Sequence, residues 1–189
     1  MQKNIIRDIR KFVDVSESEV VVFNKYVETH QLKKKEFLLQ ANSVCKHLYF
    51  VEKGCLRMYF INKKGAEQIT QFALDSWWIS DYQSFMNFSR SDYYIQTIEE
   101  SRIISIDNQN LDKLLFELPK LERYFRIIMQ KAFAGAQFRS KLLYEMSKEE
   151  FYIHFSTSFP EFMQRVPQYM IASYLGLTPE YLSELRKKI

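Results

Sequence analysis

VPQYMIASYLGLTPEYLSELRKKI, residues 166–189, is the stretch from which the rest of the chain is read. Its apolar positions, Ile171, Leu175, Leu177, Leu182 and Leu185, fit two short helices crossing at an angle. Ala172 permits close contact between them, and Gly176 supplies the turn. Thr178 is a natural N-cap and Pro179 a natural first helical residue, so the second helix starts where a helix-turn-helix requires it. On that helix Leu182 and Leu185 face inward. Glu180, Tyr181, Ser183, Glu184, Lys187 and Lys188 are left outward, with Arg186 toward one edge. A polar outward face is what groove reading uses, although hairpins with this spacing also serve purely structural roles.

Upstream, residues 119–144 form the longest helical pattern, with Pro119 in its first turn. Leu121, Tyr124, Phe125, Ile128, Ala132, Gly135, Phe138 and Leu142 make one stripe, and its middle is small. Small residues let two helices approach closely, so Ile128, Ala132, Gly135, Phe138 and Leu142 are expected to pair with a second copy of the chain. Packing of the stripe on the chain's own β unit is the alternative. The charge is concentrated in the same region. Residues 120–146 hold 6 basic and 2 acidic side chains, whereas residues 1–119 (16 of each) and 147–189 (5 of each) are balanced. That excess suits either a solvated helix face or a phosphate-facing patch.

Earlier still, the texture is short, aromatic and β-branched. EFLLQ, HLYFVEKGCLRMYFINKKGAEQITQFAL and YYIQTIEESRIISID read as strands, with turns at Lys63-Lys64-Gly65 and Glu99-Glu100. This is an antiparallel unit sized for a small barrel or jelly roll. Residues 3–30 read as helix, interrupted near DVSESE, where Ser16 can cap a new start. From Leu111 onward the pattern is helical.

The bulk properties exclude several classes. The 189 residues include 16 Phe and 12 Tyr but only 4 Gly and 4 Pro, so the chain can bury a sizeable core and holds no low-complexity stretch. Cys45 and Cys55 are too few for a zinc or iron–sulfur site of ordinary spacing and read as buried thiols. No run approaches the ~20 apolar residues of a membrane span. MQKNIIRDIRKF lacks the apolar core of a signal peptide, so a cytoplasmic protein without membrane association is expected. The three histidines, His30, His47 and His154, stand outside metal-binding and nucleophile motifs, and no phosphate-cradling glycine loop is present; an enzyme is not expected.

A β unit, then a long helix, then PQYMIASYLGLTPEYLSELRK resembles the Crp/Fnr regulators, in particular short members ending near the recognition helix. HLYFVEKGCLRMYF and GAEQITQFA are similar to the family's β-roll strands. The resemblance implies an α+β fold: a double-stranded β-roll (jelly roll) sensor with its N-terminal helices over 1–118, a dimerisation helix over 119–146 and a helix-turn-helix domain over 147–189. It implies transcriptional regulation by a homodimer on double-stranded DNA, with RNA polymerase and an unidentified small-molecule effector as further partners. No cofactor is expected.

Carried over by position, the match is uneven. Glu180 stands where family members use a glutamate to accept from a cytosine amino group. Pro179 and Glu184 stand where cyclic-AMP-responsive members carry arginines, and an ionised Glu184 cannot donate to guanine and repels phosphate. Thr178, Tyr181, Ser183, Arg186, Lys187 and Lys188 remain as contacts, with Gln168 placed for the DNA backbone.

In the sensor, Ser80-Asp81 stands where cyclic-nucleotide binders have Gly-Glu, and Arg90-Ser91 imitates their Arg-Ser pair outside the expected register. Trp78, Ser80, Asp81, Tyr82, Arg90 and Ser91 are the candidate ligand pocket, and cyclic AMP is not its expected occupant. The surrounding aromatics, Trp77, Phe85, Tyr93 and Tyr94 among them, could instead fill the barrel. Two alternatives stay open: a ligand- or partner-binding β-roll protein with a degenerate head, and a cyclic-nucleotide receptor proper.

Overall fold

The computed structural model describes residues 3–188, with side chains from Asn4 to Lys187. Two compact units emerge, one comprising residues 1–60 and 71–128, the other residues 61–70 and 129–189.

The first unit opens with α1 (Lys3–Arg10) and α2 (Glu17–Asn24). Ser16 caps α2 through the Glu19 amide while the Glu19 carboxylate reaches back to the Ser16 amide, a reciprocal box that starts the helix where the sequence suggests. The helical reading of residues 3–30 fails at its end, because Glu28–Leu32 is a strand, β1. All five of its residues pair antiparallel with a later strand, β8 (Ser101–Asp107). A distant partner decides this conformation, and local spacing carries no record of it.

The strands β2 (Phe37–Leu39), β3 (His47–Lys53), β4 (Leu56–Ile61), β5 (Glu67–Ala73), β6 (Trp78–Ile79) and β7 (Tyr94–Thr97) complete two four-stranded sheets. Their orders are β1-β8-β3-β6 and β2-β7-β4-β5. Alternation along β3 and β8 assigns the two faces of the first sheet. Tyr49, Val51 and Ile103 meet Leu56, Ile95 and Ala73 of the second sheet in one core. Leu48, Phe50, Ile104 and Ile106 turn the other way, onto Ile5, Ile9 and Phe23 of the N-terminal helices and Leu114, Leu121, Tyr124 and Phe125. Gly54, at φ 121, approaches so closely that an added Cβ would lie 2.2 Å from Ser101 Oγ, so the β3–β4 turn admits no side chain.

Between β6 and β7 lies α3 (Tyr82–Asn87), capped by Asp81. After β8 comes α4 (Asn108–Glu117), three residues earlier than the apolar spacing suggests because Asp107 caps it through the Asn110 amide. The long helix α5 spans Leu121–Glu145, with Pro119 and Lys120 in the turn before it.

The second unit contains the tip of the β4–β5 hairpin, α5 from Met129, and α6 (Lys148–Ser158), α7 (Pro160–Arg165), α8 (Gln168–Leu175) and α9 (Pro179–Lys188). Ser147 and Glu150 form a second capping box, so only two residues separate the end of α5 from the start of α6. Phe151, Tyr152, Phe155, Phe162, Ile171, Leu175, Leu182 and Leu185 are buried, and Phe155 packs its ring against Phe159, Phe162 and Tyr174. No helix among the described residues is long and apolar enough to cross a membrane.

Candidate nucleic-acid interface and sensor region

The terminal hairpin is built as its spacing implies. Gly176, at φ 69 and ψ 30, ends α8 in the left-handed conformation that costs glycine least. The Leu177 amide closes back onto the Ala172 carbonyl at 2.8 Å. Thr178 Oγ1 accepts from the Tyr181 amide at 3.2 Å, which starts α9. Ala172, Leu175, Leu177, Leu182 and Leu185 are buried between the two helices.

Thr178, Glu180, Tyr181, Ser183, Glu184, Arg186 and Lys187 are all exposed, so α9 presents one continuous polar face. The side chain of Lys188 lies outside the described residues. Gln168 opens α8, and its Oε1 is buried without a hydrogen-bond partner among the described residues. Its amide nitrogen is the group able to donate to a phosphate.

The C-terminal end of α8 is held from two sides. Ser173 Oγ donates to the Glu67 carbonyl at 2.8 Å and accepts from the Ile69 amide at 3.0 Å, bonding β5 as a neighbouring strand would. Gln68 Nε2 donates to the Ser173 carbonyl. One residue on, the Tyr174 carbonyl accepts from Arg139 Nη2 of α5 at 2.9 Å, and the guanidinium lies 4.3 Å from the centre of the Tyr174 ring. Burial, the largest influence on the Tyr174 phenol, raises its pKa, which the Arg139 charge partly opposes.

The stripe on α5 divides. Leu121, Tyr124 and Phe125 are buried by the chain's own core and Ile128 is half-buried. Ala132, Gly135 and Phe138 are open to solvent, as is Phe133 at 65% exposure. Leu142, expected on the same open face, is 5% exposed within the single chain. One apolar spacing thus runs from buried core to open surface, a division that periodicity cannot mark.

The candidate sensor residues take separate partners among the described residues. Trp78 packs its ring on Phe50 and Phe125, and its Nε1 donates to Tyr124 Oη at 2.8 Å. Asp81 Oδ2 accepts from Ser91 Oγ at 2.6 Å, while Oδ1 accepts from the Ser84 amide at 3.2 Å. Ser80 Oγ donates to the His47 carbonyl at 2.9 Å. Tyr82 is half-buried against the helix-facing core, and Arg90 is exposed. Asp81 and Ser91 satisfy each other, and an anion brought to them would meet a buried carboxylate.

Sequence reasoning missed a cluster on the outward face of the second sheet. Arg57 is buried, with Nε and Nη2 on Gln96 Oε1 at 3.1 and 2.7 Å and its guanidinium 4.2 Å from the centre of the Tyr59 ring. Tyr59 stacks on Tyr94 at 5.0 Å between centroids, and Phe37 meets Tyr94 at 6.0 Å. The available signal was a basic residue within the alternation Leu56, Met58 against Arg57, Tyr59. A shallow groove of about 320 Å³ lies elsewhere on this unit, between Phe37–Gln40 and Lys46, His47 and Tyr49. Burial lowers the pKa of His47 there, opposed by the Asp107 charge. Among the described residues no group of three or more His, Cys, Asp and Glu side chains could hold a metal ion, and Cys45 and Cys55 are buried and outside any disulfide.

Comparison with known proteins gives this geometry a context. Residues 29–117 match the model of the cyclic nucleotide-binding domain family. The fumarate and nitrate reduction regulatory protein of Vibrio cholerae is 29% identical over 185 residues, covering 90% of this chain and 72% of that one. Regulatory protein HlyX of Actinobacillus pleuropneumoniae is 27% identical over 183 residues, covering 90% and 75%. Among solved structures, the c-di-GMP-responsive global regulator CLP of Xanthomonas campestris aligns with a TM-score of 0.73 at 14% identity, covering 92% of this chain and 91% of that one. FixK2 of Bradyrhizobium japonicum aligns at 0.69 with 18% identity, covering 86% and 83%. Residues 29–117 thus carry a cyclic nucleotide-binding-type domain, and with its long helix and terminal helices the chain is similar along most of its length to these transcriptional regulators.

Proposed function

We propose that the chain is a Crp/Fnr-type transcriptional regulator working as a cytoplasmic homodimer that binds duplex DNA through α8 and α9, with the exposed part of α5 as the dimer contact. The sensor then covers residues 1–118, the dimer helix 119–146 and the head 147–189. The observation that carries the reading is the open polar face of α9 beyond a correctly formed turn at Gly176. A dimer would set two such helices about one DNA turn apart, ~34 Å. Thr178, Tyr181, Ser183, Arg186, Lys187 and Lys188 are the contact groups, Glu180 the base reader and Gln168 a backbone contact. Glu184, exposed on the same face, points away from the operator of cyclic-AMP-responsive members. Mutual satisfaction of Asp81 and Ser91 and the exposure of Arg90 support a β-roll that does not take cyclic AMP. RNA polymerase and an effector of other chemistry complete the proposal.

Titration of labelled promoter DNA at several salt concentrations tests it. A regulator prefers its site over random DNA by ~10³-fold or more, with a negative salt slope. Equal, weak binding to every sequence would establish the degenerate head that Glu184 and the balanced charge of residues 147–189 favour. Micromolar cyclic AMP binding by calorimetry would overturn the sensor half.

A further inference from the structure

We propose that the β4–β5 hairpin is a second DNA-contacting element, supplying phosphate contacts through Lys63 and Lys64 beside the helix-turn-helix. The inference rests on the DNA-binding reading above.

Residues 61–70 belong to the same compact unit as the head. They are fastened to α8 at Ser173, through the Glu67 carbonyl, the Ile69 amide and the Gln68 side chain, three residues before the turn glycine. At ~3.3 Å per strand residue, Lys64 lies within about 10 Å of the Glu67 anchor. In a helix-turn-helix the first helix crosses the sugar–phosphate backbone, so an element held on α8 is carried to the phosphates with it.

The tip is built to present charge. Asn62 Oδ1 accepts from the amides of Lys64 and Ala66 at 2.9 and 3.1 Å, and the Asn62 amide donates to the Ala66 carbonyl at 2.9 Å. Lys63 and Lys64 are exposed, and neither side chain has a hydrogen bond or ion pair among the described residues. The head needs such help. Its five basic residues are matched by five acidic ones, and Arg165 is paired with Glu161 at 2.6 Å. Duplex DNA rewards each cation that displaces a counterion, and two ammonium groups held by the tip cost no buried partner.

The test is the salt dependence of binding to a labelled random-sequence duplex, where only phosphate contacts count, for the full chain and for K63Q/K64Q. Each lost phosphate contact lowers the slope of log K against log salt by about 0.9, so the double variant should lose up to about 1.8 and bind more weakly at ~50 mM salt. Its melting temperature should not move, because the replaced groups are exposed and make no hydrogen bond or ion pair among the described residues. A parent slope retained by the double variant overturns the hairpin contact while leaving the head's reading intact. A parent chain that binds no duplex at low salt removes both.

Discussion

Tyr124 of α5 donates its hydroxyl proton to Asp8 of α1 across 2.9 Å, joining two buried residues 116 positions apart in the chain. The same hydroxyl accepts from Trp78 Nε1, and the second Asp8 oxygen accepts from Lys11 Nζ at 2.8 Å. Three elements of the helix-facing core are thereby connected through one oxygen. Burial, ahead of every other influence, pushes the Tyr124 pKa upward, so the phenol stays a donor throughout the working pH range.

Tyr124→Phe removes that oxygen and strands both the indole N–H and one carboxylate oxygen. An unsatisfied buried polar group costs about 1–3 kcal/mol, so urea unfolding should show a free energy lowered by at least that amount, read as a lower midpoint at unchanged slope. A midpoint equal to the parent's would mean that water replaces the hydroxyl.

The open half of α5 makes a cleaner test of dimerisation than stability can. A Cβ added at Gly135 meets nothing within 4 Å in the single chain. Gly135→Leu should therefore leave the fold intact, or firm the helix slightly, while overpacking a dimer contact by about 1–3 kcal/mol. Sedimentation equilibrium reads the outcome, and an unchanged association constant would move the interface off this face.

Glu180→Ala should relax discrimination at one base-pair position by about 1–3 kcal/mol while leaving the salt slope unchanged. Lys187→Gln should do the reverse, lowering the slope by about 0.9 with the sequence preference retained. Competition binding against single-base operator variants separates the two effects. A loss of slope without loss of preference in the Glu180 variant would contradict its role.

Glu19 offers a pH test. Its hydrogen bond with Lys120 and the Ser16 amide lower its pKa from the ordinary 4.5 to about 2. The unfolded state therefore takes up the proton first. The stabilisation is full above pH 4.5 and is lost as pH falls from there toward about 2. The acid limb of a melting-temperature profile should flatten in Glu19→Gln over that window, and a limb identical to the parent's would remove Glu19 as a contributor.

The helix-turn-helix was legible because its signals are local: Gly176 at the turn, Thr178 as cap, Pro179 as first helical residue and leucines at helical spacing. The same held for the Ser16 start of α2. What escaped was decided at a distance. β1 is a strand because β8 pairs with it, and the α5 stripe divides where the core that receives it ends. In the sensor, Arg90-Ser91 looked like a phosphate cradle in letters. The serine in fact serves Asp81, ten residues earlier, while the arginine points to solvent. Arg57 went unremarked because a cation in a strand is ordinarily exposed, and the neighbouring Gln96 and Tyr59 help to make its burial tolerable.

The bond between Ser173 and β5 has one more consequence. β5 is the outermost strand of its sheet, and an outermost strand offers unpaired amides and carbonyls to any chain that drifts past. From Glu67 to Ile69 those groups are already engaged by the side chain of a helix. α8 thus covers that stretch of the strand edge against strand-to-strand aggregation, and any motion that lifted it away would uncover a sticky seam.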